Sequence, residues 1–91
     1  MAMGAIAAHE AAGKVPGKDV LVLSIDGGKE AVQAVVDGKI AAVVECNPRF
    51  GPKAFETMMR YAKGETIEPM LVNEDKFYDA SNAAAELANA Y

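Results

Sequence analysis

Ninety-one residues make one small domain at most, and 52% hydrophobic residues are enough for a core and too many for a disordered chain. A net charge of −4 argues against a nucleic-acid partner and against an anionic membrane surface, since both call for clustered Lys and Arg. No apolar run approaches the ~20 residues of a membrane span, the lone Cys46 excludes an internal disulfide, and one Cys with one His does not make a zinc site.

Met1 to Gly13 reads as a helix without a beginning. No Ser, Thr, Asp or Asn precedes it to satisfy the N–H groups of its first turn. Its end is well marked, by Gly13 at a left-handed C′ position and by the Pro16–Gly17 turn. A helix stop without a helix start points to a missing upstream part of a larger fold. Met1 to Ala8 has neither a basic start nor a cleavage context, so no signal peptide is expected and the chain as written belongs in the cytoplasm.

Asp19 to Ile25 is a nearly continuous apolar run, the pattern of a parallel-sheet strand buried on both faces, and Asp26–Gly27–Gly28 breaks it. Lys29 to Asp37 follows as a helix, with Ala31, Val32, Val35 and Val36 on one face and Gly38 as its stop. Ile40 to Glu45 is a second buried strand, ended by Asn47–Pro48. Gly51–Pro52 opens a third helix to about Lys63, with an apolar face of Ala54, Phe55, Met58, Tyr61 and Ala62, and Gly64 closes it. Ile67 to Val72 could form a third strand, which Pro69 demotes to an edge or an interrupted one. Ser81 to about Ala90 is a short Ala-rich helix, capped by Ser81 or Asp79. There is no internal repeat and no low-complexity linker.

This alternation is α/β with a mainly parallel sheet. Three strands are few for such a sheet, where about five or six are usual. The shortage agrees with the uncapped first helix: this is part of a sheet.

Ligands of open α/β sheets bind beyond the carboxyl ends of the strands. Two such ends are polar here. Asp26 follows the first strand and precedes a glycine pair that admits another backbone, and Glu45–Cys46–Asn47–Pro48 ends the second. If the strands are neighbours, Asp26, Glu45 and Asn47 share one rim. Carboxylates and amides suit a neutral polyol, because a carboxylate accepts strong hydroxyl hydrogen bonds and an amide both gives and accepts. Asp26 and Glu45 could instead work as the acid and base of a glycosidase, but no sequence feature supplies a cleft or a perturbed carboxyl.

Each residue also has a plainer reading. Asp26 could cap the following helix, Asn47 could form an Asx turn before Pro48, and Glu45 could be a solvated strand end. Cys46 would more often be a small buried hydrophobe than a nucleophile. His9 reads as helix surface, and Met58 and Met59 as core or helix surface. Arg49, Phe50 and Lys53 flank the second strand end, but one basic pair is weak evidence for an anion, and no glycine-rich phosphate loop is present.

The elements MA-GAI-A---AGK-PGKDV, S-IDG--EA--A and DGK-AA-VECNP--GP-AF, with the terminal aromatic Tyr91, resemble the C-terminal part of periplasmic sugar-binding proteins of ABC importers. The type is the ribose- and galactose-binding one, and the nearest subgroup is the galactofuranose-binding one. The resemblance covers essentially the whole chain; VECNP followed by GP-AF is its most specific part.

That resemblance implies a fragment of the type I periplasmic binding protein fold, a partial three-layer sandwich in which two lobes close on a sugar and then dock on a permease. It assigns residues 1–46 and 76–91 to the C-terminal lobe and 47–75 to part of the other. By position it makes Asp26 a ligand of sugar hydroxyls and brings the strand end at Glu45, Cys46 and Asn47 to the sugar. Relatives carry an amide nearest Cys46, where this chain has a thiol. An Asn–Asp pair before Met1, the first lobe's strands and the aromatics that stack on sugar are absent. The implied ligand is a pentose or hexose, furanose forms included, bound without chemistry and without a cofactor in a periplasmic parent. The apolar sides of the two strands would lack neighbours, so a homo-oligomer is expected, completed between chains or by exchange across Cys46–Pro52. The competing expectation is a self-associating structural module that binds no ligand.

Overall fold

The computed structural model describes residues 1–91. Its elements are α1 (Ala2–Ala11), β1 (Leu23–Asp26), α2 (Lys29–Val36), β2 (Ala42–Glu45), α3 (Gly51–Ala62), β3 (Phe77–Asp79) and α4 (Ala83–Glu86), the last continued by a 3-10 turn over Leu87–Asn89. The first three helices fall where their periodicity and stop signals put them. α1 opens on Met1 with no side-chain cap. It closes on Gly13, whose φ of 74° lets Lys14 N–H reach back to the His9 carbonyl at 2.9 Å, and Gly38 and Gly64 end α2 and α3 in the same way.

The sheet has the order β1–β2–β3. β1 and β2 run parallel, joined by the α2 crossover, with Leu23 opposite Ala42 and Asp26 opposite Glu45. β3 pairs antiparallel with β2, setting Tyr78 against Val43. The strand expected over Ile67–Val72 does not form. Pro69 has no N–H to give to a ladder, and the chain instead returns to the edge of β2 beyond Val72, through Phe77–Asp79. The last helix is also shorter than its alanine content promised. Neither expected cap serves it: Asn82 stands at the N-cap and makes no side-chain bond to the helix, while Asp79 accepts from Ser81 N–H at 2.8 Å and Asn82 Nδ2 donates to the Phe77 carbonyl at 2.8 Å. These bonds tie β3 to the turn that follows.

One face of the sheet is covered. Val43 and Tyr78 point into a core with Val32, Ala34 and Val35 of α2, Ala83 of α4, and Ile6, Val22, Ile40 and Ala90. The other face is open. Leu23, Ile25, Val44 and Phe77 alternate onto it and stay exposed, so burial on both faces does not hold for either strand in this chain. The arrangement is a small mixed sheet with helices over one face, a part of the expected three-layer α/β fold in which the sheet is mixed and not mainly parallel.

Residues 46–76 contain no buried side chain. α3 has its expected apolar stripe, yet nothing covers it, and Phe55 is 67% exposed. The chain extends over 60 × 24 × 16 Å with a radius of gyration of 17.4 Å, against about 12 Å for a compact domain of this length. A body of helices and sheet therefore carries a protruding arm, which leaves it at Cys46–Asn47 and returns at Asp75–Lys76.

Candidate functional site

β1 and β2 end side by side because they are parallel neighbours, which puts Asp26 and Cys46 on one rim. Cys46 N–H donates to the Asp26 carbonyl at 2.8 Å. There the chain turns sharply. Asp26 has φ 101° and Gly27 φ 84°. A Cβ on Gly27 would lie 3.1 Å from Glu45 Cα, so the glycine permits the two strand ends to touch. A non-glycine residue at such a φ costs roughly 1–3 kcal/mol and tends to mark a working site. The Asp26 side chain is exposed, and no hydrogen bond or ion pair within the chain uses its carboxylate. It does not cap α2, whose N-cap is Gly28.

Glu45 lies on the covered face, with only 4% of its surface exposed, and is not a solvated strand end. Its Oε1 accepts from Tyr78 Oη at 2.9 Å and from Asn47 Nδ2 at 3.2 Å, and its Oε2 accepts from Lys76 N–H at 3.0 Å. Burial, followed by the Glu45 carboxylate, pushes the Tyr78 phenol up to about 12, which keeps it a hydrogen donor. Asn47 closes the Asx turn, with Oδ1 accepting from Arg49 N–H at 2.8 Å, and its own N–H donates to Asp75 Oδ1 at 3.0 Å. Cys46 is exposed, contrary to the buried hydrophobe expected of a lone cysteine.

Tyr91 completes the rim. Its Oη donates to the carbonyls of Asp26 at 2.6 Å and Cys46 at 3.2 Å, and its main-chain oxygen accepts from Lys29 N–H at 2.5 Å. Burial raises its phenol pKa, and the nearby Asp26 carboxylate adds to the rise. The sequence marks Tyr91 only as a shared terminal aromatic. Tyr78 and Lys76 carry no mark at all, since their partner is more than thirty residues away.

The remaining candidates do not join this rim. Arg49 Nη1 donates to the Asn89 carbonyl at 3.4 Å and Lys53 Nζ to the Val72 carbonyl. Met58 and Met59 are exposed on α3, and His9 is half-buried on α1. An apolar depression of 810 Å³ spreads over the open sheet face, from Met1 and Ala5 across Leu23, Ile25 and Phe77 to Asp26. A polar one of 330 Å³ lies between Asn47, Arg49, Lys53, Glu74 and Asp75. No three His, Cys, Asp or Glu side chains gather as a metal site, and no helix is long and apolar enough to cross a membrane.

No family model matches the chain. A fructose import binding protein of Bifidobacterium longum is 42% identical over 89 residues, 98% of this chain and 27% of that protein. A galactofuranose-binding protein of Escherichia coli is 38% identical over 88 residues, 96% of this chain and 28% of that protein. A crystal structure from Mycobacterium smegmatis in complex with β-D-fucofuranose superposes with a TM-score of 0.85 at 40% identity, covering 94% of this chain and 28% of that one. The chain thus spans under a third of the length of the relatives it matches, and those relatives are sugar-binding transport components, not enzymes. With this identity along nearly all of its residues, and a fold that superposes on theirs over the same span, the chain belongs to the family of periplasmic sugar-binding proteins of ABC importers.

Proposed function

We propose that this chain provides part of the solute site of a monosaccharide receptor that serves an ABC importer in the periplasm and binds its sugar reversibly, without chemistry. The observation that carries this reading is the Asp26 carboxylate: strained, exposed and without a partner at the end of a parallel strand. It accepts two sugar hydroxyls, with Cys46 beside it on the same rim. Glu45 and Asn47 support the rim from behind, since their polar atoms are engaged within the chain. Furanose forms are the preferred ligands, a preference supported by the galactofuranose and fucofuranose named for its relatives.

The division into body and arm supports the two-lobe assignment, with residues 1–46 and 76–91 in one lobe and 47–75 in the other. The sugar then lies between them, and the closed pair meets the permease. Alone in solution, the open sheet face and the bare stripe of α3 draw a second copy of the chain over themselves.

Hydrogen bonds to a charged group contribute about 1.5–3 kcal/mol each. Two of them place the affinity of this rim alone near the millimolar range. Titrating the nitrogen-15-labelled chain with methyl galactofuranoside, and with the pyranoside as comparison, tests the reading. Shifts centred on the Asp26 and Cys46 amides, larger for the furanoside, are expected. Their absence at tens of millimolar sugar refutes retained binding.

A further inference from the structure

Two strands of backbone join arm to body, and one side chain reaches both. We propose that Glu45 is a positioning residue that fixes the orientation of the arm and touches no ligand.

Glu45 is bonded to the returning strand from both its backbone and its side chain. Its N–H donates to the Lys76 carbonyl at 2.8 Å, and its Oε2 accepts from Lys76 N–H at 3.0 Å. Its Oε1 holds Asn47 on the outgoing strand and Tyr78 inside the body. Asn47 in turn grips the returning strand through Asp75. The carboxylate therefore collects donors from the outgoing strand, the returning strand and the core. No cation faces it, as the three ion pairs of the chain lie elsewhere. A buried carboxylate without a cation persists only when its oxygens are well supplied with hydrogen bonds, and here the donors come from the crossing itself.

The arm has little else to hold it. α3 has no buried residue, and the Arg49 Nη1 to Asn89 carbonyl bond is long at 3.4 Å and exposed. A glutamine at position 45 keeps the size but offers one acceptor oxygen: its NH2 group faces either Lys76 N–H, donor against donor, or Asn47 Nδ2, donor against donor, with the Tyr78 hydroxyl turned to accept and its own proton left without a partner on residue 45.

The proposal deepens the two-lobe reading, and its test needs no sugar: residual dipolar couplings of the full labelled chain, with amide exchange at Lys76. In the native chain, body and arm amides should fit one alignment tensor. In Glu45→Gln the arm should require its own, smaller tensor, with the body unchanged and Lys76 exchanging about tenfold faster, the loss of roughly one hydrogen bond. Tyr78→Phe removes a bond on the core side only and should keep a single tensor. If Glu45→Gln does not fold, Glu45→Asp keeps the charge and shortens the reach, and Asp75→Ala removes the second grip at an exposed position; both should loosen the arm. A single tensor in the Gln variant, or in both substitutes, overturns the proposal. So does a native chain whose arm already moves independently. Absence of sugar binding would overturn the solute-site reading and leave every one of these outcomes intact.

Discussion

Tyr78→Phe removes one oxygen from a place where nothing can replace it. Tyr78 is fully buried, and its Oη is one of only three donors to the Glu45 carboxylate. The phenylalanine ring fills the same space beside Val43, so no cavity opens and the loss is purely polar. A hydrogen bond to a charged acceptor is worth about 1.5–3 kcal/mol, and the stranded Oε1 keeps only the longer bond from Asn47. We expect a loss of about 2 kcal/mol. In a domain of this size each kcal/mol moves the melting temperature by roughly 4–8 °C, so the variant should melt about 10 °C lower. Urea unfolding would show a lower midpoint at unchanged slope. A second readout comes from pH. The folded phenol is raised to about 12, above the ~10 of an unfolded tyrosine. Its share of stability is full below about pH 10 and is lost as the pH climbs through 12. That alkaline loss should shrink in the variant. A change under about 0.5 kcal/mol, with the same alkaline profile as the native chain, would refute the account of Glu45 as a carboxylate satisfied by core donors.

Asp26→Gly should raise stability by about 1 kcal/mol, because glycine relieves the positive φ, while abolishing the sugar-induced amide shifts; thermal melts and the same titration read both. Gly27→Ala should destabilise by about 1–3 kcal/mol, since its Cβ meets Glu45 Cα at 3.1 Å on a backbone of φ 84°; a melting temperature within a degree of native would contradict the close strand ends. The isolated chain should scatter light as a dimer or larger, and Ile25→Lys, at a position 69% exposed on the open face, should shift it to monomer without lowering its melting temperature. A native chain that stays monomeric at high concentration would show that the open face does not drive association.

Much of the candidate site was legible, though unevenly. Asp26 announced itself by standing between an apolar run and a glycine pair, and the register of two parallel strands did put it opposite Glu45. The role of Glu45 was not legible. Residues 43 and 45 share a face by the two-residue period of a strand, but the period does not say which face another element will cover. The Asx turn at Asn47 was a local matter between residues 47 and 49, and it formed. Tyr91 bonds to Asp26 across 65 positions, a distance over which local patterns carry no information.

The sequence by itself determined the three main helices, their glycine stops, the two parallel strands and the kinship with sugar-binding proteins. These rest on periodicity, backbone conformations that favour glycine, and identity along the chain, all of which act between near neighbours or position by position. Only the tertiary structure decided that Phe77–Asp79 and not Ile67–Val72 completes the sheet, that one face stays open, and that Glu45 turns inward to Tyr78 and Lys76. Those outcomes depend on where the chain returns after its arm, and a three-residue strand such as β3 exists only because the edge of β2 is there to pair with it.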